Sequence, residues 1–138
     1  MTHIFAYGSL MIRDVMRAVT GRDFLSLPAY VPDHARYSVR GESYPGMIPA
    51  KGIRTEGILY LDLDSAAVNR LDDFEGEWYE RLPVRVYTRE GSTLEAETYL
   101  FKSEYRGLLT KDAWDLELFT RNHLRTFMAN YKGFRDLS

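Results

Sequence analysis

Residues 55–76, Thr-Glu-Gly-Ile-Leu-Tyr-Leu-Asp-Leu-Asp-Ser-Ala-Ala-Val-Asn-Arg-Leu-Asp-Asp-Phe-Glu-Gly, contain the change of periodicity that decides the fold. Residues 55–63 are apolar on both alternating faces, so they read as a strand that is largely buried on both sides. At Asp64 or Ser65 a capping residue intervenes. Ala67, Val68, Leu71 and Phe74 then recur at helical spacing, and Gly76 supplies the left-handed residue that ends a helix of about three turns. Upstream, residues 24–49 are broken by Pro28, Pro32, Gly41, Pro45, Gly46 and Pro49, which leaves room for short strands such as 35–40 in irregular β structure. Further upstream, residues 3–7 form a short apolar run ended by Gly8-Ser9. Ile12, Val15, Met16 and Val19 follow at the spacing of one helix face, closed by Gly21.

Downstream, strands are expected over 82–88 and 93–101, joined by a hairpin turn at Glu90-Gly91-Ser92. In the second, Leu94, Ala96, Thr98 and Leu100 alternate with Glu95, Glu97, Tyr99 and Phe101. From Asp112 onward Trp114, Leu118, Phe119, Leu124, Phe127, Met128 and Tyr131 form an apolar stripe that Gly133 ends, the pattern of a C-terminal amphipathic helix. Runs of strands with helices at the start, middle and end favour an antiparallel or mixed sheet over a β-α-β fold. The expected fold is α+β, a small barrel with flanking helices, built as a single domain over residues 1–138.

Composition narrows the chemistry. The 138 residues carry 18 Lys plus Arg against 20 Asp plus Glu, a net charge of −2 without a basic stripe, which argues against a nucleic-acid partner. No cysteine is present, so disulfides, thiolate nucleophiles and Cys-zinc sites fall away together. The longest stretch free of charged residues is 1–12, well short of the ~18 apolar residues a membrane span needs, and no basic segment precedes it as in a secretory signal. The expectation is a soluble, untargeted protein suited to a reducing cytosol, with no membrane partner.

His3, His34 and His123 lie too far apart for metal-ligand spacing, and Asp62/Asp64 and Asp72-Asp73 lack the rest of a calcium loop. The aspartates read as caps and solvated faces. No phosphate-binding glycine loop and no serine-hydrolase elbow occurs. Two candidates remain. Tyr7-Gly8-Ser9-Leu10 sits where a strand breaks into a helix, where unpaired N–H groups can bind an anion or oxyanion, although Gly8 could simply turn and Ser9 simply cap. Glu75 lies at the edge of its helix's apolar face and in the last turn. Both desolvation and the carbonyl end of the dipole should raise its pKa, as a general acid/base requires. An exposed helix-end glutamate is the alternative.

Together with Tyr44-Pro45-Gly46, Glu56-Gly57-Ile-Leu-Tyr60 and the run from Leu71-Asp-Asp-Phe-Glu75-Gly76 into Tyr79-Glu-Arg81-Leu-Pro-Val84, these residues resemble the γ-glutamylcyclotransferase superfamily. The likeness is greatest to its plant avirulence-induced and γ-glutamylamine cyclotransferase-like branch. In the glutathione-degrading branch an aromatic follows Tyr-Gly-Ser-Leu; here Met11 and Ile12 do. The resemblance implies that Glu75 is the acid/base, that the backbone of residues 7–10 holds a γ-glutamyl group, and that no cofactor or metal is used. Tyr79 is open between lining the pocket and packing on its strand, and Arg81 between a site role and a structural ion pair. The implied partner is a small γ-glutamyl compound, cyclised to 5-oxoproline with release of an amine. A non-catalytic metabolite-binding or interaction module on the same fold is the competing reading. Leaving group and oligomeric state are not legible.

Overall fold

A computed structural model of the chain describes residues 1–129. Its elements follow in the order β1 (Thr2–Ala6), a 3-10 turn (Ser9–Met11), α1 (Arg13–Thr20), β2 (Ser26–Val39), β3 (Pro45–Leu63), α2 (Ser65–Glu75), β4 (Tyr79–Thr88), β5 (Thr93–Phe101), a second 3-10 segment (Ser103–Leu108), β6 (Leu109–Ala113) and α3 (Leu116–Asn122). The strands are ordered β3-β1-β5-β4-β2-β6, and β2 also pairs with β3, so the first five close on themselves into a mixed barrel. The exception to antiparallel pairing among them is the β1–β5 contact, which is parallel at Ile4↔Glu97. The expected α+β barrel with flanking helices is the fold observed.

The helix that follows β3 begins as its sequence suggests, with the Asp64 carboxylate accepting the Ala67 N–H at 2.9 Å. Gly76 ends it at φ 80°, ψ −167°, a region only glycine enters freely. α1 buries Val15, Met16 and Val19 and stops at Gly21 in the left-handed conformation. The β4–β5 hairpin turns through Gly91, also at positive φ. Two layers of apolar side chains result. One, including Phe5, Val31, Met47, Leu59 and Val86, fills the barrel and contains no helix residue. The other, including Ile4, Met16, Leu63, Val68 and Leu71, lies between the barrel and its helices. β1 therefore buries both faces, with Phe5 in one layer and Ile4 and Ala6 in the other.

Two expectations need correction. The segment 24–49 is mostly long strand, not short irregular pieces: β2 and β3 pair from Ser26↔Tyr60 to Ser38↔Pro45. Two of its prolines have a local reason: Pro45 starts a strand, and Pro32 abuts an irregularity in register before His34, where Asp33 takes φ 58°. The Asp33 carboxylate accepts the Gly52 N–H at 2.9 Å, fastening that irregularity to β3's side of the hairpin. The C-terminal helix likewise does not begin at Asp112. Residues 109–113 are strand, and Asp115 caps α3 by accepting the Leu118 N–H at 3.1 Å. Trp114 thus precedes the helix, donating from its indole to the Ser43 carbonyl at 2.7 Å. Helical backbone resumes over 124–129 after a turn at His123. Tyr131 and Gly133 lie outside the described residues.

Candidate functional site

Where β1 runs out, the chain enters the 3-10 turn over a cavity of about 150 Å³. That is small beside the several hundred Å³ of a typical drug-sized site, so a compact group fits it. The wall formed by residues 7–10 is held from behind. The Tyr7 hydroxyl donates to the Tyr99 carbonyl, the Tyr60 hydroxyl to the Leu10 carbonyl at 2.6 Å, and the Arg36 guanidinium to the Tyr7 carbonyl at 2.7 Å. The Ser9 and Leu10 N–H groups, in the first turn of the 3-10 segment, have no acceptor among the described residues. Tyr7, Gly8, Ser9 and Leu10 all line the cavity.

Gly8 sits at φ −124°, ψ −139°, neither helical nor extended backbone, and a Cβ there would lie 3.0 Å from both Cγ and Cδ of Pro45. The close approach of the β2–β3 connection adds to the case for glycine. Ser9 is not the cap. Gly8 occupies that position, and the Ser9 hydroxyl has no hydrogen-bond partner among the described residues.

The opposite wall is made by α2 and the strands after it. Glu75, the last residue of α2, lines the cavity, and its carboxyl is pushed up to about 8, by burial first and by the charge of Asp72 second. No described residue donates a hydrogen bond to that carboxyl. Tyr79 is buried, lines the same cavity and donates its hydroxyl to the Pro45 carbonyl at 2.7 Å, so both of its open readings are realised. Burial, followed by its neighbours' charges, pushes the Tyr79 hydroxyl far up, which keeps it a neutral donor. Arg81 lies outside this cavity in ion pairs with Asp72 at 2.9 Å and Glu97 at 2.6 Å.

Further residues, outside the two sequence candidates, also line the cavity, Phe5 and Ala6 of β1 among them. Tyr44 and Pro45 come from the β2–β3 connection, Tyr99 from β5, and Phe74 and Phe127 meet edge to face with ring centroids 5.8 Å apart. Tyr44-Pro45 was visible as a motif and Phe127 as part of an apolar stripe, but only strand register brings Tyr99 across. Among the described residues no group of three or more His, Cys, Asp or Glu side chains could hold a metal ion. No described helix is long and apolar enough to cross a membrane.

Comparison with known proteins adds an independent line. The family model described as "Gamma-glutamyl cyclotransferase, AIG2-like" matches residues 4–116. The chain belongs to this family. Among its relatives, AIG2-like protein D of Arabidopsis thaliana is 33% identical over 138 residues, covering 99% of this chain and 90% of its own length. AIG2-like protein B of Arabidopsis thaliana is 28% identical over 94% of the chain and 75% of its own. A solved structure described as a γ-glutamyl cyclotransferase superposes with a TM-score of 0.67 at 16% identity, over 95% of this chain and 86% of that one, a likeness of fold. In this AIG2-like chain the matched region takes in both walls of the cavity except Phe127.

Proposed function

We propose that this chain cyclises the γ-glutamyl group of a small γ-glutamyl amine or peptide to 5-oxoproline, releasing the amine. The observation that supports it most is the pairing across one small cavity of a carboxyl poised near 8 with the unpaired N–H groups of Ser9 and Leu10. In this reaction the substrate's α-nitrogen attacks its own γ-carbonyl. The new C–N bond closes a five-membered ring and the old C–N bond to the leaving amine breaks. The α-ammonium carries two more protons than the lactam nitrogen keeps, and the departing nitrogen gains both on leaving as an ammonium. Nothing is oxidised or reduced.

Glu75 would take a proton from the α-ammonium and hand it to the leaving nitrogen. At pH 7 a group titrating at about 8 is ionised in about one molecule in ten, but an arriving α-ammonium favours the ionised form. The substrate thus generates its own base. The Ser9 and Leu10 N–H groups would hold negative charge on the substrate, and the walls of residues 7–10, Tyr44 and Phe74 would keep the chain bent so that amine and carbonyl meet.

The test is mass-spectrometric: purified protein in EDTA, without added metal, is screened against γ-glutamyl amines and dipeptides for release of 5-oxoproline. Formation of 5-oxoproline is expected, and blocking the α-amine should abolish it. Glutamate as product would mean attack by water and would end this reading. Binding without turnover would favour the non-catalytic module.

A further inference from the structure

Behind Glu75 lies a second cavity of about 270 Å³, lined by Asp72, Glu75, Gly76, Tyr79, Arg81 and Tyr99. Glu75, Tyr79 and Tyr99 line both cavities, so Glu75 stands between the first chamber and a second one that Asp72 and Arg81 also line. Asp72 precedes Glu75 by three residues on α2 and shares its face. Its Oδ1 accepts from Arg81 Nε at 2.9 Å and from the Tyr99 hydroxyl at 2.7 Å. Arg81 is gripped in turn by Glu97 at 2.6 and 3.1 Å. Arg81 and Tyr99 are directly opposed in the β4–β5 ladder, so the sheet itself delivers both donors to one carboxylate.

The groups facing Glu75 come from every surrounding element. α2 contributes Asp72; β4 contributes Tyr79, with Arg81 beyond it; β5 contributes Tyr99, with Glu97 beyond it. The end of β1 supplies Tyr7, the β2–β3 connection supplies Tyr44 with Glu42 behind it, and the helical segment 124–129 supplies uncharged Phe127. Burial pushes all four tyrosines up, Tyr44 to about 12, so none ionises near neutral pH. Of the charged groups, Asp72 raises Glu75, and Asp72 is itself ion-paired with Arg81.

We propose that Asp72, clamped by Arg81 and Tyr99 beside the same cavity, is a positioning residue for Glu75: its charge adds to burial in tuning the pH range in which Glu75 works as a base, and Arg81 limits that influence. The inference rests on Glu75 being the acid/base of the proposed reaction, but its central test does not need turnover.

The two charges act with opposite signs. Asp72→Asn removes a negative neighbour and should lower the Glu75 midpoint by about half a unit to one unit. Arg81→Gln removes the cation that offsets Asp72 and should raise it, while Arg81→Lys should return it most of the way. The measurement is a carbon-detected NMR titration of the Glu75 carboxyl in the ligand-free protein, with its signal assigned by loss in Glu75→Gln. If 5-oxoproline is formed, the rising limb of kcat/KM against pH should move with the same signs. General loosening of the fold would move both variants the same way. A shared direction, or an unmoved midpoint in Asp72→Asn, overturns the proposal. Should Asp72→Asn fail to fold, Arg81→Gln alone decides, because a zero or downward shift there is incompatible with it. A protein that makes no 5-oxoproline but shows the opposed shifts would retain the coupling and lose the cyclotransferase reading.

Discussion

Glu75 was legible as a candidate because helical spacing put it beside Leu71 and Phe74 at the end of a helix. The dominant cause of its raised pKa is burial, as expected. The second is Asp72, which by sequence belongs to a solvated helix face, although it stands three residues from Glu75. What the spacing could not show is that β4 and β5 would deliver Arg81 and Tyr99 to that aspartate. Glu75→Gln should lower the rate of 5-oxoproline formation by at least ~10²-fold, since the amide cannot carry the proton, and leave substrate binding largely intact. It should also change how stability depends on pH. The folded-state value of about 8 exceeds the ordinary ~4.3, so this group's stabilisation is fully present below ~4.3 and is lost as pH rises through 8. The parent should therefore lose up to ~1.4 kcal/mol per pH unit in that window from this group, and Glu75→Gln should not. Thermal melts at pH 5 and pH 8 check this: the variant's advantage should grow with pH, and a variant less stable than the parent at pH 8 would mark Glu75 as an ordinary structural carboxylate.

Among the elements, the ones with local signals were readable: α2 from its cap and glycine, α1 from its apolar face, the β4–β5 hairpin from Gly91. The long β2–β3 pair was not, because Pro32 and Pro45 are tolerated by a register irregularity and a strand start, neither of which has a local signature, and Pro28 and Pro49 are carried within the ladder. Gly57 shows how tightly these strands are laid on their neighbours. A Cβ there would meet the Ala6 carbonyl oxygen at 2.2 Å and the Phe5 ring at 2.8 Å, so Gly57→Ala must push β3 away from β1. We expect a loss of roughly 1–3 kcal/mol in urea unfolding, the usual range of overpacking. Gly8→Val should be damaging for a related reason, since its branches would drive into the Pro45 ring. Its signature should be lost ligand binding, because Pro45 and residues 7–10 line the same cavity, whereas Ser9→Ala should retain turnover. Abolished turnover in a folded Ser9→Ala protein would point to a hydroxyl nucleophile in place of the backbone cradle.

At the level of the whole molecule, an α+β barrel could be inferred from strands bracketed by helices, but strand order could not, since the pairing of β1 with β5 spans ninety-odd residues and leaves no local trace. That closure is short in ladder and is reinforced by the Thr98 hydroxyl, wholly buried, donating to the Phe5 carbonyl at 2.9 Å. Thr98→Val keeps the shape and removes the donor, so it should cost about 1–3 kcal/mol through the stranded carbonyl, read as a lower urea midpoint at unchanged m. The same barrel brings Tyr7, Tyr44, Phe74, Tyr79, Tyr99 and Phe127 around the site. Both tryptophans of the chain stand behind the cavity: Trp78 one residue back, 6.4 Å from the Tyr44 ring, and Trp114 two back, beneath the Arg36 guanidinium that grips the Tyr7 carbonyl. The protein consequently carries its own optical reporter. Occupancy of the cavity should register in indole fluorescence without any attached dye, and single Trp→Phe variants would tell which wall a ligand presses.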